Sequence, residues 1–537
     1  MSATALIALL AGCGSGPDQE AEMTLLSPRE QLIRLSVDLR GVHPTETELQ
    51  YIEANPELYE DYVDRYMADS RFSGRMREVF NQRFLTRTDS TYGRMVAGAS
   101  SAEVAWVIGE EPLQLLSYII ENDLPYSEIV LAEYTVANPL LAAVWDLDRE
   151  ETAEGGWSIA HYTDARPEAG ILTMNSVWSR YPSMDGNANR HRANAVSNML
   201  LCDDYLSRPI VLDRAAVDQL TVDPESAISE NASCQSCHAT LDPLSAHFFG
   251  FFSYDDDAEF TGVYRPELEE GWRDYANKAP GFYGVPTANI PEMAALLAED
   301  ARFADCAVQT VWEGLTQRTL VDEDWSEFQE FRTAFVDSDQ SIRTLVRSIV
   351  LSEGYRAAGS SDPELDERLA TLKMVSPSQF SSIVSEITGY TWSFGGVDGL
   401  TNHGSGLPVL LGGIDGDTVT SRSYDPSVGA VFIQERLAQS AGHYVATHDL
   451  ASSRTDDAIL LLYVTAEDTP NSNPEAFEAQ IRHLYLTATG IPLEEDATEP
   501  ANLMVVWEQV YSIEGSVTAA WSSVISAALR DPRVLTY

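Results

Sequence analysis

The chain has 537 residues, of which 83 are Asp or Glu and 34 are Lys or Arg, giving a formal net charge of −49. A field of that sign repels phosphate and excludes nucleic acid and anionic membrane surfaces as partners. The apolar fraction of 44 % is ample for packed cores, and the length predicts three or four domains.

Residues 3–12 form a short apolar run that ends in Leu10-Ala11-Gly12-Cys13. It resembles a bacterial lipoprotein signal, in which cleavage leaves Cys13 as the acylated N-terminus, although no Lys or Arg precedes the run. The run is too short to span a bilayer. Residues 1–13 are therefore read as a signal peptide and 14–24, small and acidic, as a tether. No later segment is apolar enough to cross a membrane. The only lysines are Lys278 and Lys373. Lysine depletion with high acidity fits a salt-adapted exported protein, and a merely acidic bacterial proteome explains it too. The charge is spread along the chain, which reads as a solvated surface able to steer a basic redox partner.

The pattern after residue 25 is mainly helical. Ser27-Pro28-Arg29-Glu30 is a capping box with proline at the first helical position, and Leu32, Leu35 and Leu39 follow on one face. Thr45 to Glu48 is a second capping box, opening a helix through Ile52. Four short segments, around Asp69-Ser70-Arg71, Asp300-Ala301-Arg302, Ser352 to Arg356 and Asp531-Pro532-Arg533, look alike and read as helix stops in related helical units. Val517, Trp521, Val524, Ile525, Ala528 and Leu529 mark a last amphipathic helix, stopped by Asp531-Pro532. Boundaries are expected near residues 148–156 and 359–363. The predicted architecture is a mainly α, multidomain helical protein. It has an N-terminal helical domain over 25–150, a cytochrome c-like haem-binding domain over 151–360 and a C-terminal helical domain over 361–537.

Cys234-Gln235-Ser236-Cys237-His238 carries the chemistry. It is a C-x-x-C-H run, the attachment sequence for c-type haem. Two intervening residues let both thiols add to the vinyl groups of one porphyrin, and the adjacent histidine becomes the proximal iron ligand. A zinc site would need a second ligand pair, and no second C-x-x-C exists. A redox dithiol is the other reading, although the βαβ pattern that carries one is not evident.

These segments together resemble the planctomycete-type cytochrome c-containing proteins, found also in myxobacteria, whose flanking domains have no assigned function. Residues 34–41 with Pro44-Thr45, then residues 62–65 and 69–72, resemble their N-terminal helical domain. Gly170-Ile171-Leu172-Thr173, Leu200-Leu201-Cys202 and the haem motif with Asp242-Pro243 resemble their haem-bearing domain, closed by Phe303-Ala304-Asp305-Cys306. Residues 361–537 match more weakly, through Gly412-Gly413-Ile414-Asp415 and Asp531-Pro532-Arg533. The resemblance implies architecture and a cofactor, not a substrate.

The sixth iron ligand separates carrier from enzyme, because a six-coordinate haem transfers electrons and a five-coordinate one can bind peroxide or oxygen. Met174 is the first candidate, since it stands where family members often have histidine; Met184 and His247 are alternatives, and Leu241 replaces a frequent methionine. Arg265 is a candidate partner for a haem propionate. With Cys13 assigned to lipid and Cys234 and Cys237 to haem, Cys202 and Cys306 remain. The resemblance places both in the haem domain, so a disulfide between them is expected in an oxidising compartment; two separate buried thiols are the alternative. His443 and His448 beside Asp449 are spaced i, i+5 and do not share a helix face, so they read as surface. His191 reads as solvated, Asp415 and Asp417 as a turn, and Asp255-Asp256-Asp257 as an exposed acidic turn. The resulting expectation is an exported, lipid-anchored envelope protein with one haem c that exchanges electrons with a redox partner. A haem peroxidase- or oxidase-like enzyme and an envelope scaffold with a secondary haem are the alternatives.

Overall fold

The computed structural model describes residues 23–537 apart from 89–92, 153–154, 184–185, 210–213, 215–216, 218–220, 223–226, 229, 252–263, 276–277, 370, 395 and 452–456. The expected signal peptide with Cys13, the tether to residue 22, Met184 and Asp255 to Asp257 lie outside the described residues. Among the described residues the chain is mainly helical, with 61 % helix in 23 helices, and the sheets are small.

Both capping boxes open helices. In Pro28–Arg40 the Ser27 hydroxyl accepts from the Glu30 amide while the Glu30 carboxylate accepts from the Ser27 amide, and Thr45 and Glu48 do the same for Glu46–Ala54. Leu32, Leu35 and Leu39 are fully buried. So are residues around the rest of that helix, including Arg34, Ser36, Asp38 and Arg40. The helix is central rather than amphipathic, because helices Glu46–Ala54, Tyr59–Met67 and Arg71–Phe84 all pack on it. At the other end Val517–Leu529 ends before Asp531, with Trp521, Val524, Ile525 and Leu529 in the core.

One expectation is corrected. Residues 23 and 24, assigned to the tether, belong to strand Met23–Leu25, which pairs antiparallel with Ala357–Ser360. The look-alike segments do follow helix ends, after Tyr59–Met67, Ile290–Glu299, Ile342–Leu351 and Val517–Leu529, and they also start the next element. Asp69 precedes Arg71–Phe84, Asp300 caps Ala301–Thr316, Ser352 caps Glu353–Arg356 and Asp531 caps the turn Pro532–Val534. Three of them share one device. The aspartate accepts the backbone N–H of the arginine two residues on, and that arginine's side chain grips the same carboxylate, with Nη2 to Oδ2 at 2.7, 2.6 and 2.9 Å for Arg71, Arg302 and Arg533. Asp164 and Arg166 repeat it at 2.5 Å. The first three clasps each satisfy an orphan amide at an element start, so their likeness lies in capping chemistry.

One apolar cluster runs from Leu32 to Leu535 and draws on residues from all three predicted domains. A smaller one, around Val107, Ile108, Val144 and Trp145, underlies the sheet Thr135–Ala137, Ser158–Tyr162 and Leu147–Arg149. Residues 148 and 149 of the expected boundary thus belong to a strand of that sheet, paired with His161 and Ala160.

Asp38 ties the two ends of the chain together. It is 3 % exposed, and Lys373, one of the two lysines, is 2 % exposed. Lys373 Nζ donates to Asp38 Oδ2 at 2.6 Å and to the Leu315 carbonyl at 2.6 Å. Tyr355 and Tyr537 donate their hydroxyls to the two Asp38 oxygens, each at 2.6 Å. Burial pulls the Lys373 ammonium down to about 8, against the pull of Asp38. Replacing Asp38 with Ala strands a buried ammonium and is expected to cost about 3–5 kcal/mol in denaturant unfolding. Adding Lys373→Met should recover much of that loss; a single variant that loses under about 1 kcal/mol would contradict the role given to this pair.

Candidate haem-attachment site

The C-x-x-C-H run lies on the helix Ala232–Ser245, opened by Asn231, whose side chain accepts from the Ser233 amide. Cys234 and Cys237 are free thiols of intermediate burial, three residues apart and so neighbours on one helical face. His238 follows, and its Nδ1 lies 2.9 Å from Asp242 Oδ1, one helical turn on. Asp242 is 1 % exposed and also receives Arg190 Nε at 2.6 Å from the neighbouring helix Arg190–Leu201. Burial alone would push the Asp242 carboxyl up, but the hydrogen bonds and charges of His238 and Arg190 outweigh it and hold the group below the usual carboxylate range. A carboxylate on Nδ1 fixes the tautomer and orientation of the ring and leaves Nε2 as the ligating atom.

These residues fit a covalent haem. Two half-buried thiols on one face can reach a group outside the helix, and the imidazole beside them already has the carboxylate partner that metal-bound histidines need. When bound there, haem supplies a one-electron couple. With such a group, Cys234 and Cys237 would anchor the porphyrin edge, while Asp242 would orient His238 and Arg190 would neutralise Asp242.

The other candidates sit apart from this set. Met174 is 1 % exposed, in the core that also takes Leu241 and Leu244 from the motif helix. The preceding turn is tight. Gly170 has φ +48°, and a Cβ there would lie 2.1 Å from the Ile129 carbonyl oxygen, so only glycine fits. His247 is buried with Nε2 2.8 Å from Thr287 Oγ1, and burial drops its pKa to about 4. Arg265 begins the turn Pro266–Gly271 and donates its amide to the Gly250 carbonyl at 2.8 Å. Among the described residues no hydrogen bond or ion pair joins Met174, His247 or Arg265 to His238, Asp242 and Arg190.

Sequence reading missed Arg190 and the role of Asp242. The available signal was the i, i+4 spacing of His238 and Asp242 on a helix; Arg190 left none. Arg192, two residues on, is buried and donates to the carbonyls of Tyr181 and Phe251 at 3.1 Å each, while His191 between them is exposed. His443 is exposed and His448 Nδ1 pairs with Asp449 at 2.8 Å. Asp415 makes a turn, accepting the amides of residues 417, 418 and 419.

Cys202 and Cys306 form a disulfide with their Cα atoms 5.2 Å apart. It links the end of Arg190–Leu201, which carries the Asp242 partner, to Ala301–Thr316. Comparison with protein-family models, with curated proteins and with solved structures found no match. The double variant Cys202→Ser/Cys306→Ser is expected to lose up to about 4–5 kcal/mol of unfolding free energy, as loop closure over a 104-residue separation implies. An unchanged denaturation midpoint would contradict a structural role for the bond.

Proposed function

We propose that this chain is an exported electron-transfer protein of the bacterial envelope, holding one haem c on Cys234 and Cys237 with His238 as proximal ligand. The observation that carries the reading is the C-x-x-C-H run on a helical face with His238 held by Asp242, which Arg190 holds in turn. The disulfide agrees with an oxidising compartment. No helix among the described residues is long and apolar enough to cross a membrane, so attachment through a lipid on Cys13 is the anchor in this reading. Met174, a buried soft thioether, is the proposed sixth ligand, with Met184 and His247 behind it, and Arg265 remains the proposed propionate partner. The resemblance to planctomycete-type cytochrome c-containing proteins points the same way. The partner is a redox protein of the envelope, met through an acidic surface.

One observation favours a haem peroxidase-like enzyme instead. A buried carboxylate on the proximal Nδ1 raises the basicity of the ligand, which assists peroxide cleavage as well as tuning a potential. The scaffold reading has the exposed Val428, Val431 and Phe432 on one face of helix Val428–Asp449 in its favour.

Absorption spectra of the oxidised and reduced protein, with and without peroxide, decide among these. The carrier predicts a sulfur-to-iron band at the red end that Met174→Ala abolishes, and no response to peroxide. A peroxide-dependent spectral change with turnover would establish the enzyme. Asp242→Asn removes the negative partner of His238 and is expected to raise the midpoint potential by roughly 60 mV, a tenfold change in the one-electron equilibrium. An unmoved potential would remove Asp242 from the account.

A further inference from the structure

A second site lies far along the chain from the haem motif, where the N-terminal and C-terminal helices meet. Helix Arg71–Phe84 supplies Arg75 and Glu78, Arg87 follows it, Ser378 sits in the first turn of helix Pro377–Thr388, and Arg422 closes the loop after Gly412-Gly413-Ile414-Asp415. Together they line a partly open cavity of about 40 Å³. A water needs about 10–15 Å³ measured this way, so the space holds roughly three waters or one small oxyanion.

The charges around it do not balance. Arg87 is neutralised by Glu78 and Glu110. Among the described residues Arg75 has no carboxylate within ion-pair distance; it donates to Ser378 Oγ at 3.2 Å and to the Asp38 carbonyl at 3.4 Å. The Asp38 carboxylate cannot serve it, being held by Lys373, Tyr355 and Tyr537. Arg422 donates to the Met374 carbonyl at 3.3 Å, and its Nε is buried with no hydrogen-bond partner. Burial pulls the Arg75 guanidinium below its ordinary value and Arg422 adds to that by repulsion, while Glu78 and Asp38 oppose it. Two neighbouring guanidinium groups thus share a cavity whose one carboxylate, Glu78, is paired with Arg87, in a chain with 83 acidic residues to 34 basic ones. Both are half-buried, where a charge without an ion-pair partner costs stability.

The loop that resembled a family motif closes this pocket. Gly416 has φ +76°, and a Cβ there would lie 2.3 Å from the Arg87 carbonyl oxygen, so the loop presses directly on the Arg87 backbone. The first turn of helix Pro377–Thr388 adds its positive end.

We propose that this cavity binds a tetrahedral oxyanion of the phosphate type, held between Arg75 and Arg422 and by the Ser378 hydroxyl. The local charge around it is net positive, and two guanidinium forks suit the oxygens of such an anion. The site is independent of the haem.

The test is thermal unfolding of the intact purified protein in inorganic phosphate. Because the net charge is −49, any salt stabilises by screening, so phosphate is compared with chloride at equal ionic strength. The expected result is a saturable rise of the midpoint in phosphate and in sulfate, and little or none in acetate. Arg75→Gln and Arg422→Gln should each weaken the apparent affinity roughly tenfold or more. Calorimetric titration of Arg422→Lys, which keeps the charge and loses the fork, should fall between them and the wild type, so a misfolded Arg75 variant does not decide the matter. Coincident phosphate and chloride curves, a response confined to acetate, or unchanged affinity in Arg422→Gln would each overturn the proposal.

Discussion

The carboxylate of Asp38 accepts from Lys373, Tyr355 and Tyr537, and it does so in the middle of the first helix, surrounded by core. Around it the residue 373 and residue 537 backbones pair with each other at 2.9 Å in both directions. Arg34, one turn earlier, donates to the Tyr355 and Thr371 carbonyls at 2.7 Å each. The first helix, the segment after residue 355 and the last residue are therefore one polar knot inside an apolar shell. Such a buried charge is stable only when fully satisfied, which specifies the meeting of distant parts of the chain more sharply than apolar packing does.

That knot also determines what lies next to it. Since Asp38 is fully engaged, Arg75, which touches only its carbonyl, has to look elsewhere for negative charge. The cavity between Arg75 and Arg422 borders that knot. The helix that carries the C-x-x-C-H run is secured differently, through Asp242 to Arg190 and through the disulfide at the end of the Arg190 helix. One polar network holds Asp38, and another holds the C-x-x-C-H helix.

Local chemistry was legible in the sequence where it was local. The capping boxes at Ser27 and Thr45 could be read because both partners lie within four residues. The C-x-x-C-H run stands out by its fixed spacing, and the Cys202–Cys306 pair could be read because few cysteines were left to choose from. Asp38 and Lys373 are 335 residues apart, and no periodicity marks such a pair. The burial of the first helix on all sides was hidden for the same reason: its polar residues signal a solvent face until their distant partners are known. The Asp-x-Arg clasps were noticed as recurrences but read as endings, since an aspartate that caps one element also sits just past the last. Arg190 meets Asp242 across 52 residues and belongs to the same class of invisible contact.

The central claim is that Cys234 and Cys237 hold haem covalently, and the intact mass of the unfolded protein tests it most directly. After expression in a host that matures c-type cytochromes, and after acid denaturation to strip any loosely held group, the polypeptide should carry the mass of one haem. Cys234→Ala/Cys237→Ala should lack it while keeping the Cys202–Cys306 bond. A wild-type mass equal to that of the bare polypeptide would contradict the account.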